Sequence, residues 1–223
     1  MERPTIKTIF SCIIVALLLL AAAWAEPMGG TPTVGPSEKG SGSASGQAGQ
    51  DSGNVTMINL SGMAITTIWG GFYGKVGGNV LLSDASAHKF FEWTVSNFTN
   101  SVVYAANDTV NSWDLRAINS SVAPAFVAQG NDNFNRTFTN TGTFQSESIG
   151  PIANTPFTRT YQNGAVGSLR TYALVTNDNT VNIWAGVVIQ DTGSFKTGEN
   201  VDYQIICPAM ATGTPYRFYM ELP

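Results

Sequence analysis

The strongest constraint in this sequence is a two-residue alternation of apolar and polar side chains in its final third. It appears in "TVNIWAGVVIQ" (180–190), "VDYQIIC" (201–207) and "YRFYMEL" (216–222). The apolar members are Val181, Ile183, Ala185, Val187 and Ile189, then Val201, Tyr203, Ile205 and Cys207, then Tyr216, Phe218, Met220 and Leu222. A period of two with β-branched and aromatic residues predicts strands with one face toward a core. The polar run "TNDNT" (176–180) predicts a hairpin turn before the first of them.

Shorter apolar runs separated by Gly, Asn, Asp and Ser extend this pattern back to residue 54. They predict strands over 64–73, 79–83, 90–95 and 101–105, and only 110–121 could hold a helical turn or two. About ten strands without an internal repeat are typical of a single sandwich domain. We therefore predict an all-β fold, an antiparallel two-sheet sandwich or jelly-roll-like single domain, over residues 54–223.

The first 25 residues have the composition of a secretory signal peptide. Arg3 and Lys7 precede an apolar run over 9–23, and Ala23-Trp24-Ala25 forms a small-x-small cleavage site. An uncleaved membrane anchor is the alternative, but this run is shorter than the about 20 apolar residues that a spanning helix needs. We expect cleavage after Ala25, no membrane span in the mature chain, and a secreted protein at the extracellular cell surface.

Residues 26–53 contain 8 Gly, 5 Ser and 3 Pro in 28 positions. Such a segment buries too little apolar surface to offset the entropy of ordering it, so it predicts a flexible tail of roughly 30 Å. It is followed by the more apolar "NVTMINLSG" (54–62). The tail is either a passive spacer or a leash that delivers this segment to a neighbouring subunit.

Charge and cysteine content exclude several classes of partner and cross-link. The formal net charge is −4 and only 12% of residues are charged, without the clusters of Lys and Arg that nucleic acid binding requires. Cys207 is the single cysteine after the predicted signal peptide, so the mature chain cannot form an internal disulfide. Its apolar setting favours a buried thiol over an intermolecular bridge.

No catalytic or metal-binding signature emerges, and we predict that the protein is not an enzyme. His88 is the only histidine and lies in a polar turn, which is typical of a surface residue. A hydrolase would need paired carboxylates, and spacing does not select any pair among Asp84, Glu92, Asp114 and Glu147.

One His and one mature Cys are too few for a zinc site. We predict no cofactor. The oxygen-rich loops "QGNDNFN" (129–135) and "TNDNT" are typical of ordinary turns, and Ca²⁺ binding by their oxygen atoms is the alternative.

Six Asn-x-Ser/Thr sequons predict glycosylation sites in an exported chain: Asn54, Asn59, Asn97, Asn107, Asn119 and Asn135. Burial of the segment around Asn54 and Asn59 would exclude a glycan there.

The main alternative hypothesis about function depends on the aromatic residues. In "WGGFYGKVGG" (69–78) we predict that Trp69, Phe72 and Tyr73 serve core and cross-strand packing, with glycines allowing close backbone approach. Exposed Trp and Tyr on a sandwich could instead stack on sugars, as in a carbohydrate-binding module. Trp69, Trp93, Trp113 and Trp184 all fall in or near apolar runs, which favours the core for most of them.

Several stretches together resemble a recurrent secreted β-rich domain of archaeal cell-surface proteins. They are "WGGFYGKVGGNVLLSDAS", "FEWTV", "VVYAAND", "VNSW", "FNRTF", "IQDTGSF", "YQIICP" and "TPYRFYMEL". The resemblance implies an extracellular, β-rich protein and supplies no catalytic residues. It also implies paired cysteines in the middle of the domain, which this chain lacks.

These features favour a structural subunit of a cell-surface assembly, such as a filament, sheath or surface layer, whose partner is itself. The predicted assembly strand comprises Val55, Thr56, Met57, Ile58 and Leu60, which would complete a sheet edge in the next subunit by donor-strand addition. A secreted carbohydrate-binding module that contacts cell-surface glycans is the alternative, and a hydrolase is a more distant one.

Overall fold

Antiparallel strands are the main regular secondary structure in the computed structural model, which describes residues 26–44, 47, 52, 55 and 57–223. The strands are β1 (Met28–Gly29), β2 (Trp69–Gly74), β3 (Asn79–Ser83), β4 (Lys89–Thr94), β5 (Val102–Ala106), β6 (Leu115–Ala117), β7 (Asn140–Phe144), β8 (Ile152–Gln162), β9 (Ala165–Thr176), β10 (Asn182–Val187), β11 (Thr192–Gly193), β12 (Asn200–Val201), β13 (Tyr203–Pro208) and β14 (Arg217–Glu221). Within the described residues, helix is limited to a 3₁₀ turn (Ala125–Val127) and α1 (Phe134–Thr137). The predicted signal peptide, Asn54 and Thr56 lie outside them.

One large sheet organises the body of the protein. Its strands follow the order β1-β14-β5-β10-β9-β8-β7, and β6 also pairs with β9. Every pairing is antiparallel. The polar run 176–180 forms the predicted turn between β9 and β10, where Asn179 adopts a positive φ of 64°.

The pair β2–β13 forms a second layer over one face of this sheet. Trp69 from β2 and Ile205 and Cys207 from β13 pack against Ala105, Ala173 and Trp184 of the large sheet. Phe134 and Phe138, from α1 and its end, fill the same core, and the Trp69 and Trp184 rings meet edge to face at 6.1 Å. This two-layer arrangement confirms the predicted all-β sandwich.

The opposite face of the large sheet is also buried. Tyr104 of β5, Leu174 of β9 and Ile183 of β10 form a second core with Phe144 and Phe157. The loop residue Trp113 packs against it. The sequence predicted one buried face for these strands, and the structure corrects this to two, because loops as well as strands supply apolar cover.

Strand boundaries follow the predictions to different degrees. β3 has the predicted bounds, and β4 and β5 each differ from theirs by one residue. β2 begins at Trp69, so the predicted strand over 64–68 is wrong.

The possible helical turn over 110–121 is also wrong. Leu115–Ala117 pairs with β9 there, and the helical turns lie farther along the chain. The sequence pattern does not predict β8, whose "IANTPFTRTYQ" contains Pro156 and a positive φ at Asn154.

Gly186 sets how closely the two layers approach. A Cβ added there would lie 2.7 Å from Ile205 Cγ1, inside any normal contact distance. At Gly71, on β2 of the second layer, the nearest atom to an added Cβ is Ile205 O at 3.8 Å. The sandwich therefore requires glycine at position 186, whereas position 71 has room for a larger side chain.

We predict that Gly186→Ala lowers the free energy of unfolding by about 1–3 kcal/mol, because the new methyl overpacks the interlayer contact. Gly71→Ala should change it by less than about 1 kcal/mol, since ordinary space is available. Urea denaturation monitored by tryptophan fluorescence measures both. Equal effects of the two substitutions would contradict this account of the packing.

Candidate functional site

Exposed large apolar side chains concentrate in two segments of the described chain. The first, which we call the apolar arm, consists of Val55 and residues 57–65. The second, which we call the hairpin, is β3–β4 with its turn, residues 79–94. The exposed side chains are Val55, Met57, Ile58, Leu60, Met63 and Ile65 on the arm, and Val80, Leu81, Leu82, Phe90, Phe91 and Trp93 on the hairpin.

The apolar arm runs outside any strand of the described residues. Leu60 is 91% exposed and Met57 is 84% exposed. Met63 makes two hydrogen bonds to Ser43, donating from its amide to Ser43 Oγ at 2.7 Å and accepting from Ser43 N at 3.0 Å. The predicted assembly residues Val55, Met57, Ile58 and Leu60 are therefore available to a partner, and their role stays a prediction.

Hydrogen bonds hold the residues that follow the arm to the body near β2. Thr66 Oγ1 donates a hydrogen bond to Asp132 Oδ2 at 2.6 Å, and the Trp69 indole donates to the Asp132 carbonyl. Asp132 belongs to the loop considered for Ca²⁺, and its neighbour Asn133 caps α1 by accepting from Arg136 N. These contacts give both side chains a structural role in a turn.

The hairpin has one apolar face and one mixed face, on which the apolar Leu81 lies opposite Glu92. Val80 pairs with Trp93 and Leu82 with Phe91, so these four side chains share one face. On the other face Glu92 accepts a hydrogen bond from Asn79 Nδ2 and forms an ion pair with Lys89. This pattern is typical of a sheet segment whose apolar face packs against another element, but here the face is exposed.

The turn of the hairpin holds the single histidine. His88 Nδ1 lies 2.7 Å from Asp84 Oδ2, and the backbone amides of Ser86 and His88 donate to Asp84 Oδ1. Hydrogen bonds from His88 lower the pKa of Asp84 below its usual value. Both side chains are exposed, which confirms the prediction of a surface histidine.

The four candidate carboxylates are divided between the hairpin and the body. Asp84 and Glu92 are bound to hairpin neighbours as described above. Asp114 precedes β6 and accepts a hydrogen bond from Asn177 at 3.0 Å, while Glu147 lies exposed in the loop after β7. No contact joins any two of these four, so the structure adds nothing to a glycosidase interpretation.

Glu221 is a buried carboxylate for which the sequence analysis predicts no role. Its two oxygens accept hydrogen bonds from the hydroxyls of Tyr104 and Ser146 and from the amides of Glu147 and Ser148, at 2.6–2.9 Å. Burial acts to raise the pKa of Glu221, but these hydrogen bonds outweigh it and hold the pKa below its usual value. Glu221 therefore fastens the 146–148 loop to β14 as a charged structural group.

We predict that Glu221→Gln lowers the free energy of unfolding by about 2–4 kcal/mol, because an amide donor would face the hydroxyl and amide donors of this network. Glu147→Gln, an exposed change of the same kind nearby, should cost less than about 0.5 kcal/mol. Urea denaturation of the two variants at neutral pH provides the comparison. Similar losses in both would contradict the anchoring role.

The same network predicts a pH dependence of stability. Because the pKa of Glu221 is lower in the folded state than its ordinary 4.5, its contribution is present above that value and is lost as the pH falls through the folded-state pKa. The wild-type free energy of unfolding should therefore drop between pH 5 and about pH 3 more steeply than that of Glu221→Gln. Equal slopes of the free energy of unfolding against pH for wild type and Glu221→Gln would contradict this contribution of Glu221.

A polar cleft of about 420 Å³ lies beside the β9–β10 turn. It is lined by Thr109, Asn111, Ser112, Asp114, Thr176, Asn177, Asp178, Thr180 and Val181. Asp178 Oδ1 already accepts hydrogen bonds from the hydroxyls of Thr176 and Thr180, which lower its pKa. Among the residues that the structure describes, no group of three or more His, Cys, Asp or Glu side chains is placed to hold a metal ion.

Five of the six sequon asparagines belong to the described residues, and all five are exposed: Asn59, Asn97, Asn107, Asn119 and Asn135. Asn119 Oδ1 accepts hydrogen bonds from both the amide and the hydroxyl of Ser121. Asn97 Oδ1 accepts from Thr99 N at 2.9 Å. Exposure is a requirement for modification, and glycosylation itself stays a prediction.

Cys207 and three of the four tryptophans in the described residues have packing roles. Cys207 is buried, and burial raises the pKa of its thiol to about 12, which confirms the expectation of a buried cysteine. Trp69 and Trp184 lie in the core, and Trp113 packs between Tyr104 and Tyr219. Trp93 is the exception, being half-exposed on the hairpin.

None of the helices among the described residues has the length and apolar character to cross a membrane. A scan against protein-family models, a search of curated proteins and a search of solved structures each find no match. The candidate site is therefore defined by surface chemistry alone: an apolar arm and an apolar hairpin, where most of the exposed large apolar side chains of the described residues lie.

Proposed function

We propose that this protein is a non-catalytic structural subunit of an extracellular cell-surface assembly, such as a filament, sheath or surface layer, and that copies join through the apolar arm. The observation that supports this most is the exposure of the arm. Val55, Met57 and Leu60 are almost fully exposed, although they lie in a chain whose body buries apolar side chains on both faces of its sheet.

Physical chemistry favours a partner for such a segment. Each large apolar side chain that leaves water contributes about 1.5–3 kcal/mol, so the arm gains little by remaining solvated. Its backbone also lacks a strand partner in the described structure, and an extended segment pairs most readily with the open edge of a sheet. Addition to a neighbouring copy satisfies both requirements at once.

Strand addition between copies also accounts for an extended assembly. The donor segment and the acceptor edge are different surfaces of one chain, so the contact is head to tail and each copy can accept one neighbour and donate to another. The predicted signal peptide places this assembly outside the cell. The predicted glycans on Asn97, Asn107, Asn119 and Asn135 would lie on the body and leave the hairpin clear, since residues 79–94 contain no sequon, whereas burial of the arm in a partner would exclude a glycan on Asn59.

We predict that replacing Met57 and Leu60 together by Lys prevents assembly of the secreted chain. Both side chains are exposed, so folding should be unaffected, while two charges on the arm would oppose its burial. Val34→Lys is a matched control, because Val34 is 85% exposed in the preceding tail. Size-exclusion chromatography with light scattering, and electron microscopy, should show large species for wild type and Val34→Lys and monomers for the double variant.

A wild-type chain that stays monomeric at every accessible concentration would contradict the proposed function. Assembly of the double Lys variant at the wild-type concentration would contradict the role of the arm.

The exposed aromatic rings of the hairpin support a second candidate, a carbohydrate-binding module. The Phe91 and Trp93 rings lie 4.9 Å apart, and Glu92 and Asn79 supply polar groups on the opposite face of the same strands. Titration of a monomeric chain with soluble glycans, and with its Trp93→Ala variant, separates the two functions. Glycan binding that is lost in this variant would favour the module.

A further inference from the structure

We propose that the acceptor for the apolar arm is the outer edge of β3 in a second copy. The arm would add to the hairpin as a third strand, with Ile58 and Leu60 covering the apolar face formed by Val80, Leu82, Phe91 and Trp93. This inference rests on the proposed function of self-assembly and names the surface on which it occurs.

The hairpin needs a third strand for a physical reason. A two-stranded antiparallel sheet is marginally stable in water, and independent stability begins with three strands that share an apolar face. In the described part of the chain, β3 and β4 pair only with each other. Their apolar side chains are half-exposed, with Val80 at 44% and Leu82 at 49%. One added strand would supply both the missing pairing and the missing cover.

The two edges of the hairpin are not equivalent. β3 reads "NVLLS" and has no charged residue and no Pro, so its outer edge presents uninterrupted backbone donors and acceptors. β4 begins with Lys89 and carries a bulge at Phe90, where Leu82 opposes Phe91 and Ser83 opposes Lys89. Bulges and edge lysines are the usual means of blocking strand addition. The open edge is therefore that of β3.

The edges of the large sheet suit the arm less well. Met28 and Gly29 already pair with β14, and Gly30 N donates to Phe218 O at 2.9 Å, so the chain covers this edge itself. At the other edge, β7 reads "NTGTF" and its single large apolar side chain, Phe144, is turned into the core. An arm added to β7 would leave Ile58 and Leu60 without an apolar surface.

Charge favours contact between these two surfaces. No charged residue occurs from 52 to 74, so the arm carries none. On the hairpin Lys89 forms an ion pair with Glu92, and Asp84 is hydrogen-bonded to His88 in the turn, away from the apolar face. Copies with a net charge of −4 repel one another, and a neutral arm on a neutral strand avoids burying an unpaired charge.

The spacing of the apolar side chains also fits. Ile58 and Leu60 are two residues apart and would share one face of the added strand, as Val80 and Leu82 do on β3.

The position of β2 separates donor from acceptor within one copy. The arm is held to Asp132 at the Trp69 end of this strand, and the hairpin leaves from its Gly74 end, about 17 Å away at the rise of an extended strand. A donor at one end and an acceptor at the other are the arrangement from which a head-to-tail series is built.

The first experiment compares Leu82→Lys with Val166→Lys in the secreted chain. Val166 is 61% exposed near the β8–β9 turn, far along the chain from both surfaces, and serves as the matched control. We expect Leu82→Lys to lose the large species seen for wild type and Val166→Lys to retain them. Circular dichroism and the urea midpoint identify any variant that fails to fold.

The second experiment does not depend on a disruptive substitution. Chains carrying Ile58→Cys are mixed with chains carrying Val80→Cys under mild oxidation, and Ile58→Cys is mixed separately with Val166→Cys. Cys207 does not compete, because its thiol is buried with a raised pKa. We expect a disulfide-linked heterodimer at least tenfold more abundant in the first mixture than in the second.

The outcomes separate this inference from the proposed function. Large species without the Ile58–Val80 cross-link, together with normal assembly of Leu82→Lys, would overturn the inference and leave self-assembly standing. A doubly substituted chain that closes its disulfide within the monomer at high dilution would overturn it too, because the arm would then cover its own hairpin. A wild-type chain that never assembles would overturn both.

Discussion

Burial of the central strands on both faces is the constraint on which the rest of this structure depends. β5, β10 and β9 lie side by side, and the adjacent residues Trp184 and Ile183 enter opposite cores. Each core needs cover of its own, so the β2–β13 pair occupies one side and loop residues such as Trp113 occupy the other. The body is thereby stabilised by packing, as a domain with Cys207 as its single cysteine requires.

The fold class was accessible from the sequence because period-two alternation survives in the last third of the chain. Burial on both faces cannot be predicted in the same way. A strand with apolar residues on both faces still shows alternation when one face carries more apolar residues than the other, as in "TVNIWAGVVIQ". β8 escaped detection because Pro156 and frequent threonines obscure its period. Glu221 was equally hidden, because its position in β14 matches the polar, outward phase of the alternation and only the tertiary structure buries it.

The candidate site was half predictable for similar reasons. The apolar arm stood out because Val55, Met57 and Leu60 follow a tail of Gly and Ser, a contrast that composition alone reveals. The strands of the hairpin were also found, but their exposure was not. A sequence such as "KFFEWT" has the composition of a core strand, and nothing local shows that the body places no layer over Phe91 and Trp93. Exposure is a property of the whole chain.

The separation between a self-sufficient body and two unpartnered apolar surfaces has a mechanistic consequence. Since neither core includes a residue of the arm or of the apolar hairpin face, attachment to another copy does not have to compete with folding. The body can fold with the arm solvated, and under the proposed assembly the arm could then bind without unfolding anything. Because the proposed contact would consist of main-chain hydrogen bonds and apolar side chains rather than ion pairs, its strength should depend little on ionic strength.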